Sequence, residues 1–145
     1  MKSSEQSGPR ICPAAPRIDA SCLRRAQLKG ALLQRAQLQG ANLLDADLSF
    51  SDLEGANLEG ARLERATLES ADLSEANLTG VSFEGAQLRG ARLEDTTLRD
   101  VNFRDAQLEE VDLTRSSLEG AQLPGARFVG VRMRGVNLAR AELNG

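Results

Sequence analysis

The chain has 145 residues, a length typical of one domain, and a net charge of −3 at pH 7. Hydrophobic residues make up 41% of it, aromatic residues make up only 3%, and histidine, tryptophan and tyrosine are absent. The acidic balance argues against a nucleic-acid-binding domain, which is usually strongly basic, and the lack of histidine excludes a Ser–His–Asp triad or an imidazole metal site. We expect no direct nucleic-acid binding, no membrane contact and no cofactor.

Residues 1–20 differ from the rest of the chain because Pro9, Pro13 and Pro16 interrupt any regular strand ladder. This segment has no continuous apolar run typical of a secretory signal, and we therefore expect a cytoplasmic protein. We predict a disordered tail at residues 1–8 and a cap at residues 9–20 that covers the start of the region that follows.

Residues 21–145 form 25 consecutive pentads without an insertion. The third position of each pentad is large and apolar: 21 are Leu, three are Phe and one is Met. The first position is small, with 16 Ala, five Val, three Ser and one Thr, and Gly fills the fifth position in 12 pentads. A period of five fits neither a helix, with about 3.6 residues per turn, nor a regular strand, with 2.

A pentad pattern is explained by a short extended side followed by a corner. Residues two apart in an extended segment point to the same side, so the first and third positions face inward and the second faces outward. The fourth and fifth positions turn the corner, where Gly, Asp and Ser tolerate turn geometries. Four sides close a square coil of about 20 residues, and coils stacked ~4.8 Å apart give a rod roughly 30 Å long.

The pentads resemble those of the pentapeptide-repeat family, as in "ANLEG" at 56–60, "ADLSE" at 71–75 and "ANLTG" at 76–80. The resemblance covers residues 21–145 and implies an all-β fold, a right-handed quadrilateral β-helix of about six coils. In such a coil Cys12 and Cys22 would face opposite ways, and a disulfide needs Cα atoms within about 7 Å, so we expect free thiols.

Residues 20 apart stack in columns on this fold, and three columns carry predictions. Phe83 and Phe103 are expected to stack inside one face, and Thr96 and Ser116 are expected to bond to each other or to the backbone. An uncharged outward column is expected to form a hydrogen-bonded ladder from coil to coil; it contains Gln37, Asn57, Asn77, Thr97, Ser117 and Asn137.

Charge is concentrated in the middle of the rod, where residues 41–125 hold 18 acidic residues and seven arginines, a net of −11. Some relatives in the family bind type II topoisomerases by imitating duplex DNA, which carries about 12 charges over a similar length of roughly 20 Å. The largely alternating column of Asp52, Asp72, Arg92, Asp112 and Arg132 is also typical of a soluble surface without a partner. The candidate acidic site comprises Asp52, Glu54, Asp72, Glu75, Glu94, Asp95 and Asp112.

Apolar residues at positions where the pattern expects polar ones are Leu32, Leu44, Phe50 and Val129. We interpret Phe50 and Val129 as candidate partner contacts, although Leu44 and Phe50 would also fit beneath the N-terminal segment. The last coil is expected to expose its edge and inner residues, which fits either a homodimer through this end or an end that is simply frayed or trimmed. The candidate dimer residues are Phe128, Met133, Leu138 and Leu143.

The sequence therefore predicts a non-enzymatic protein-binding or scaffolding solenoid, because a convex outer wall without a cleft is a poor setting for acid–base catalysis. The partner is not named by the sequence. The alternative function is a DNA-mimicking modulator of a type II topoisomerase such as DNA gyrase, and mimicry would weaken with salt whereas apolar docking would not.

Overall fold

The computed structural model describes residues 23–143, which form just over six coils of a right-handed quadrilateral β-helix. The predicted tail and cap at residues 1–20 lie outside the described residues, as do Cys12 and Cys22. The fold class expected from the pentad pattern is confirmed, including the 20-residue coil.

Each side of the square is a strand reduced to a single bridging residue, the second position of the pentad. Parallel bridges join outward residues 20 apart, from Gln27↔Asp47 to Gln122↔Glu142. Three backbone hydrogen bonds per pentad link neighbouring coils: Leu58 N–H donates to Asn77 O at 2.9 Å, Asn77 N–H to Ala56 O at 3.0 Å and Gly60 N–H to Thr79 O at 2.9 Å. This spacing requires every coil to have the same length.

The four sides of the square are named by their outward columns, each of which repeats every 20 residues. Face 1 runs from Asn42 to Glu142, face 2 from Gln27 to Arg127, face 3 from Leu32 to Arg132, and face 4 from Gln37 to Asn137. Each face ends at an edge formed by the fourth and fifth residues of its pentads.

The corners are tight turns whose fifth residue has a positive φ. This conformation recurs at every fifth residue from Arg25 to Arg140, and 11 of these 24 residues are glycine. Most turns are closed by a bond from the next small residue to the preceding large one, such as Ala61 N–H to Leu58 O at 2.8 Å. A positive φ at the third turn residue is the type II pattern, in which glycine is favoured because it has no Cβ.

The inside of the coil is filled by the first and third positions. Leu and Ala of the central coils are fully buried, and the Phe83 and Phe103 rings stack with centroids 5.2 Å apart at 10°. The Thr96 hydroxyl lies 3.0 Å from that of Ser116, as predicted. The good helix formers Ala, Leu, Glu and Arg adopt this coil because it buries both apolar positions of every pentad, which no helical stripe with a period of 3.6 could do.

One backbone donor per pentad, the N–H of the fourth position, has no backbone acceptor in the described coils. Where the second residue of the pentad is Asp or Asn, its side-chain oxygen accepts the hydrogen bond from this N–H. Asn102 Oδ1 accepts from Arg104 N–H at 2.9 Å, and Asp72 Oδ1 accepts from Ser74 N–H at 3.0 Å. This local bond explains why Asp and Asn recur beside the large apolar residue.

Candidate partner-binding surfaces

The predicted acidic residues all lie on face 3 or its edge, but most of them are paired with arginine. Asp72 accepts from Arg92 at 2.8 Å, and Arg92 Nε also lies 3.7 Å from Glu94. Asp112 pairs with Arg132 at 3.3 Å. From Asp72 to Arg132 the column alternates in sign, whereas Asp52 and Asp72 are like charges one coil apart. The paired part of this face therefore carries much less net charge than its carboxylates alone indicate.

The edge of face 3 repeats this pairing. Arg115 donates to Asp95 through Nε at 2.7 Å and Nη2 at 2.5 Å, and these bonds lower the pKa of Asp95 below its usual value. Gln34 donates to Asp52 at 2.5 Å. Asp52, Glu54 and Glu75 are the three candidate residues without an ion pair to any residue between 23 and 143.

The same pairing occurs elsewhere on the rod. Asp45 binds Arg65 at 2.8 Å and lies 3.9 Å from Arg25, and the hydrogen bond from Arg65 lowers the pKa of Asp45. Arg140 and Arg99 both lie against Glu119, and the Arg140 hydrogen bond lowers the pKa of that carboxyl. Ion pairs between coils are therefore a general feature of the surface rather than a mark of one site.

The uncharged column on face 4 forms less of a ladder than predicted. Asn77 Nδ2 donates to Asn57 Oδ1 at 3.3 Å, but within residues 23–143 this is the one side-chain bond between successive members of the column. Gln37 instead donates to Arg35 O at 3.2 Å. The other side-chain bonds of this column stay within one coil. For example, Asn57 Oδ1 accepts from Glu59 N–H at 3.1 Å, and Asn137 Oδ1 accepts from Ala139 N–H at 3.0 Å.

The two predicted apolar contacts, Phe50 and Val129, are exposed by 58% and 57% and lie on one edge. We call this the Phe50 edge; it consists of the fourth and fifth residues of the face 2 pentads, namely Lys29–Gly30, Ser49–Phe50, Glu69–Ser70, Arg89–Gly90, Glu109–Glu110 and Val129–Gly130. Phe50 has a φ of +59°, and Lys29 Nζ lies 5.5 Å from its ring centroid. The other 12 non-glycine corners between Arg25 and Arg140 share this conformation but carry polar or charged side chains, so Phe50 is distinguished by being apolar.

The last described coil exposes apolar side chains at its open end. Leu143 is 65% exposed, and Met133 and Leu138 are exposed as well, as the sequence predicted, whereas Phe128 is half-buried. They surround a depression of about 230 Å³ lined by Leu123, Phe128, Met133, Leu138 and Leu143.

The outer wall is not uniformly convex, which corrects the expectation of a rod without a cleft. One shallow groove of about 370 Å³ lies along the edge of face 1, and another of about 410 Å³ lies along the Phe50 edge. Each groove includes a glycine corner, Gly85 in the first and Gly130 in the second, where no side chain fills the space. The first is lined by Leu44, Arg62, Glu64, Arg65, Glu84, Gly85 and Asp105.

Sequence reasoning missed Glu69, Arg89, Glu109 and Glu110 as surface candidates, because a groove depends on the lengths of side chains in four neighbouring coils. The signal available in the sequence was a corner column in which long residues stand among short ones, since its fifth positions read Gly, Phe, Ser, Gly, Glu and Gly. No cluster of His, Cys, Asp or Glu suited to a metal ion occurs within residues 23–143. The same stretch of chain contains no apolar helix of membrane-spanning length.

The coil, the turns and the pentad register together define a pentapeptide-repeat solenoid. The family described as pentapeptide repeats, in eight copies, matches residues 21–60, 44–85, 56–95, 76–115 and 112–145, and the chain belongs to this family. A search of curated proteins finds none similar to this chain.

Solved structures similar to this chain are also pentapeptide repeat proteins. One from the thylakoid lumen of Arabidopsis thaliana has 35% identity and a TM-score of 0.61 over 62% of this chain and 63% of that chain. One from Nostoc PCC 7120 has 25% identity and a TM-score of 0.56, covering 66% and 83%. QnrB1, a plasmid-mediated fluoroquinolone resistance protein, has 20% identity and a TM-score of 0.38 over 86% of this chain and 83% of that chain. The chain spans about three fifths of the length of the first of these proteins.

Proposed function

We propose that this chain is a non-enzymatic, rigid protein-binding module of the cytoplasm. The exposure of Phe50 at a corner with positive φ carries the proposal. Glycine occupies 11 equivalent corners, so the fold does not require an aromatic side chain there. An exposed apolar side chain, at a corner where every other described residue is glycine, polar or charged, is better explained by a contact with another protein than by the stability of the rod.

The proposal predicts a binding interaction that depends on Phe50 and resists salt. The immobilised chain is incubated with an extract of the source organism, in parallel with a variant that carries both Phe50→Gly and Val129→Ser. Glycine and serine already occupy these two pentad positions elsewhere on the same edge, at Gly30 and Ser49. We expect the parent to retain a protein that the variant loses, with retention little changed by high salt, because apolar contacts are not screened. Equal retention by both would overturn the proposal.

The second candidate function is DNA mimicry directed at a type II topoisomerase, and the observation that favours it is the net charge of −11 over residues 41–125. The ion pairs on face 3 weaken the resemblance to a polyanion. A DNA-gyrase supercoiling assay tests it, with a variant in which Asp52, Asp72, Glu75 and Asp95 become Asn or Gln. Inhibition by the parent alone would favour mimicry; no inhibition by either would exclude it.

We also propose that two copies associate through the open coil that carries Phe128, Met133, Leu138 and Leu143. The exposure of the Met133, Leu138 and Leu143 side chains in the last described coil supports this arrangement. Analytical sedimentation of the full chain and of its Leu138→Asp variant measures the association. We expect the parent to dimerise and the variant to remain a monomer, because the interface would bury the new charge. A parent that sediments as a monomer at all concentrations would contradict it.

A further inference from the structure

We propose that the Phe50 edge binds an extended, basic peptide segment of a partner, anchored at each end by an apolar side chain. This inference rests on the proposed protein-binding function and names the surface and the chemistry of its partner. The same edge carries both of the exposed apolar residues on which that function depends.

The coil register sets the spacing of the two anchors. Phe50 and Gly130 occupy the same corner four coils apart, or about 19 Å, and Val129 directly precedes Gly130. An extended peptide rises about 3.3 Å per residue, so apolar residues six positions apart span the same distance. Leu32 pairs with Asp52, and Asp52 follows Phe50 by two residues. The exposed Leu32 side chain therefore adds apolar surface at the Phe50 end of the edge.

A groove runs between the anchors. It begins next to Phe50, whose N–H donates to Glu69 O at 2.8 Å, and it ends at Val129. The groove is shallow and open along three coil spacings, from Glu69 to Val129, so an extended chain can lie along it.

The groove lining selects a basic occupant. Three carboxylates, Glu69, Glu109 and Glu110, face one cation within it, Arg89. The Arg89–Glu110 and Arg127–Glu109 pairs are long, at 3.5 Å each, with exposed guanidinium groups, and such surface pairs are weak. Glu69 pairs with no described residue. Incoming lysines would therefore gain partners at little cost to the existing pairs.

The test uses fluorescein-labelled heptapeptides and fluorescence anisotropy with the full chain. The probe has leucine at both ends and three lysines between them; one control replaces the lysines with glutamate, and another places the leucines three residues apart. We expect the basic, long-span probe to bind at least about tenfold more tightly than either control. Equal affinity for all three peptides would refute the inference.

Protein variants locate the site. Phe50→Gly should lower affinity about tenfold while thermal stability is maintained, because glycine suits a φ of +59°. Glu69→Lys should also weaken binding, whereas Glu59→Lys, the same change at the fourth position of another edge, should leave it unchanged. Unchanged binding in both Phe50→Gly and Glu69→Lys would refute the assignment.

The two proposals can fail separately. If no peptide binds but the extract experiment retains a protein that requires Phe50, the extended basic occupant is wrong and the protein-binding function stands. If the extract experiment shows no dependence on Phe50 or Val129, the binding function itself fails, whatever the peptides do.

Discussion

At the residue scale, the second position of the pentad does two tasks, since its backbone links two coils and its side chain completes the corner. Asn102 accepts the Arg104 N–H that has no backbone acceptor. Gln107, at the same position in the next pentad, makes no such bond in the described structure, because its longer side chain points further from its own backbone. The chemistry of a single position thus separates pentads that look alike in sequence.

This difference predicts opposite effects at neighbouring pentads. Asn102→Ala should lower the free energy of unfolding by about 1 kcal/mol, the usual effect of losing a side-chain cap on an exposed N–H. Gln107→Ala should change it by less than about 0.5 kcal/mol, and Gln107→Asn should raise it by supplying the missing acceptor. Urea unfolding measures all three. A loss in Gln107→Ala as large as that in Asn102→Ala would contradict this role.

At the element scale, the coil depends on its corners. The fifth residues of pentads one coil apart, 20 residues along the chain, lie directly above one another. The corner of Gly80 leaves open space where a Cβ would be added, whereas at Gly120 an added Cβ would collide with Oδ1 of Asp100 in the coil before. Both glycines have nearly the same φ, +66° and +69°. An alanine would therefore meet the same backbone strain at both corners, and the two corners differ only in the neighbour that its Cβ would meet.

Alanine substitutions at these two corners isolate that neighbour. Gly80→Ala should cost about 1 kcal/mol, because a Cβ is disfavoured in the left-handed region. Gly120→Ala should cost about 0.5–1.5 kcal/mol more, the price of forcing Asp100 out of its rotamer. Thermal unfolding of both variants gives the difference, and adding Asp100→Gly should remove it. A difference that persists in the double variant would point to a cause other than Asp100.

At the scale of the whole molecule, ion pairs between coils give the rod a dependence on pH. The Arg65 hydrogen bond lowers the pKa of Asp45, the Ser49 hydrogen bonds lower that of Asp47, and the Arg115 hydrogen bond lowers that of Asp95. Burial raises the pKa of Asp112, but bonds from Thr114 and Arg132 outweigh it and the net shift is downward. Folding therefore favours the ionised form of these carboxyls.

A lowered pKa in the folded state contributes stability above the unfolded pKa, about 3.9 for Asp, and that stability is lost as the pH falls through the folded value. We expect the urea midpoint to be constant near neutral pH and to decline below about pH 4. Asp45→Asn should flatten the decline, whereas Glu54→Gln, which removes no described ion pair, should not. A midpoint independent of pH down to pH 3 would disprove the linkage.

The sequence predicted the coil well because its signal is periodic and the fold allows one register. Phe83 over Phe103 and Thr96 beside Ser116 follow from counting 20 residues. The surface was predicted less well, because a carboxylate such as Asp95 counts as acidic in a sequence, whether or not Arg115 of the next coil neutralises it. Grooves were missed because they depend on where long side chains lie, not on which residues are polar.

The uninterrupted register also governs how a chain of this kind can change in length. Tandem duplication of four pentads would add one coil and leave every later side chain on its original face, because the bridges repeat every 20 residues. Duplication of one pentad between Phe50 and Val129 would instead rotate everything beyond it by a quarter turn, and the two side chains would face different directions. Both events keep the reading frame and the fold, but only the first keeps Phe50 and Val129 on the same edge.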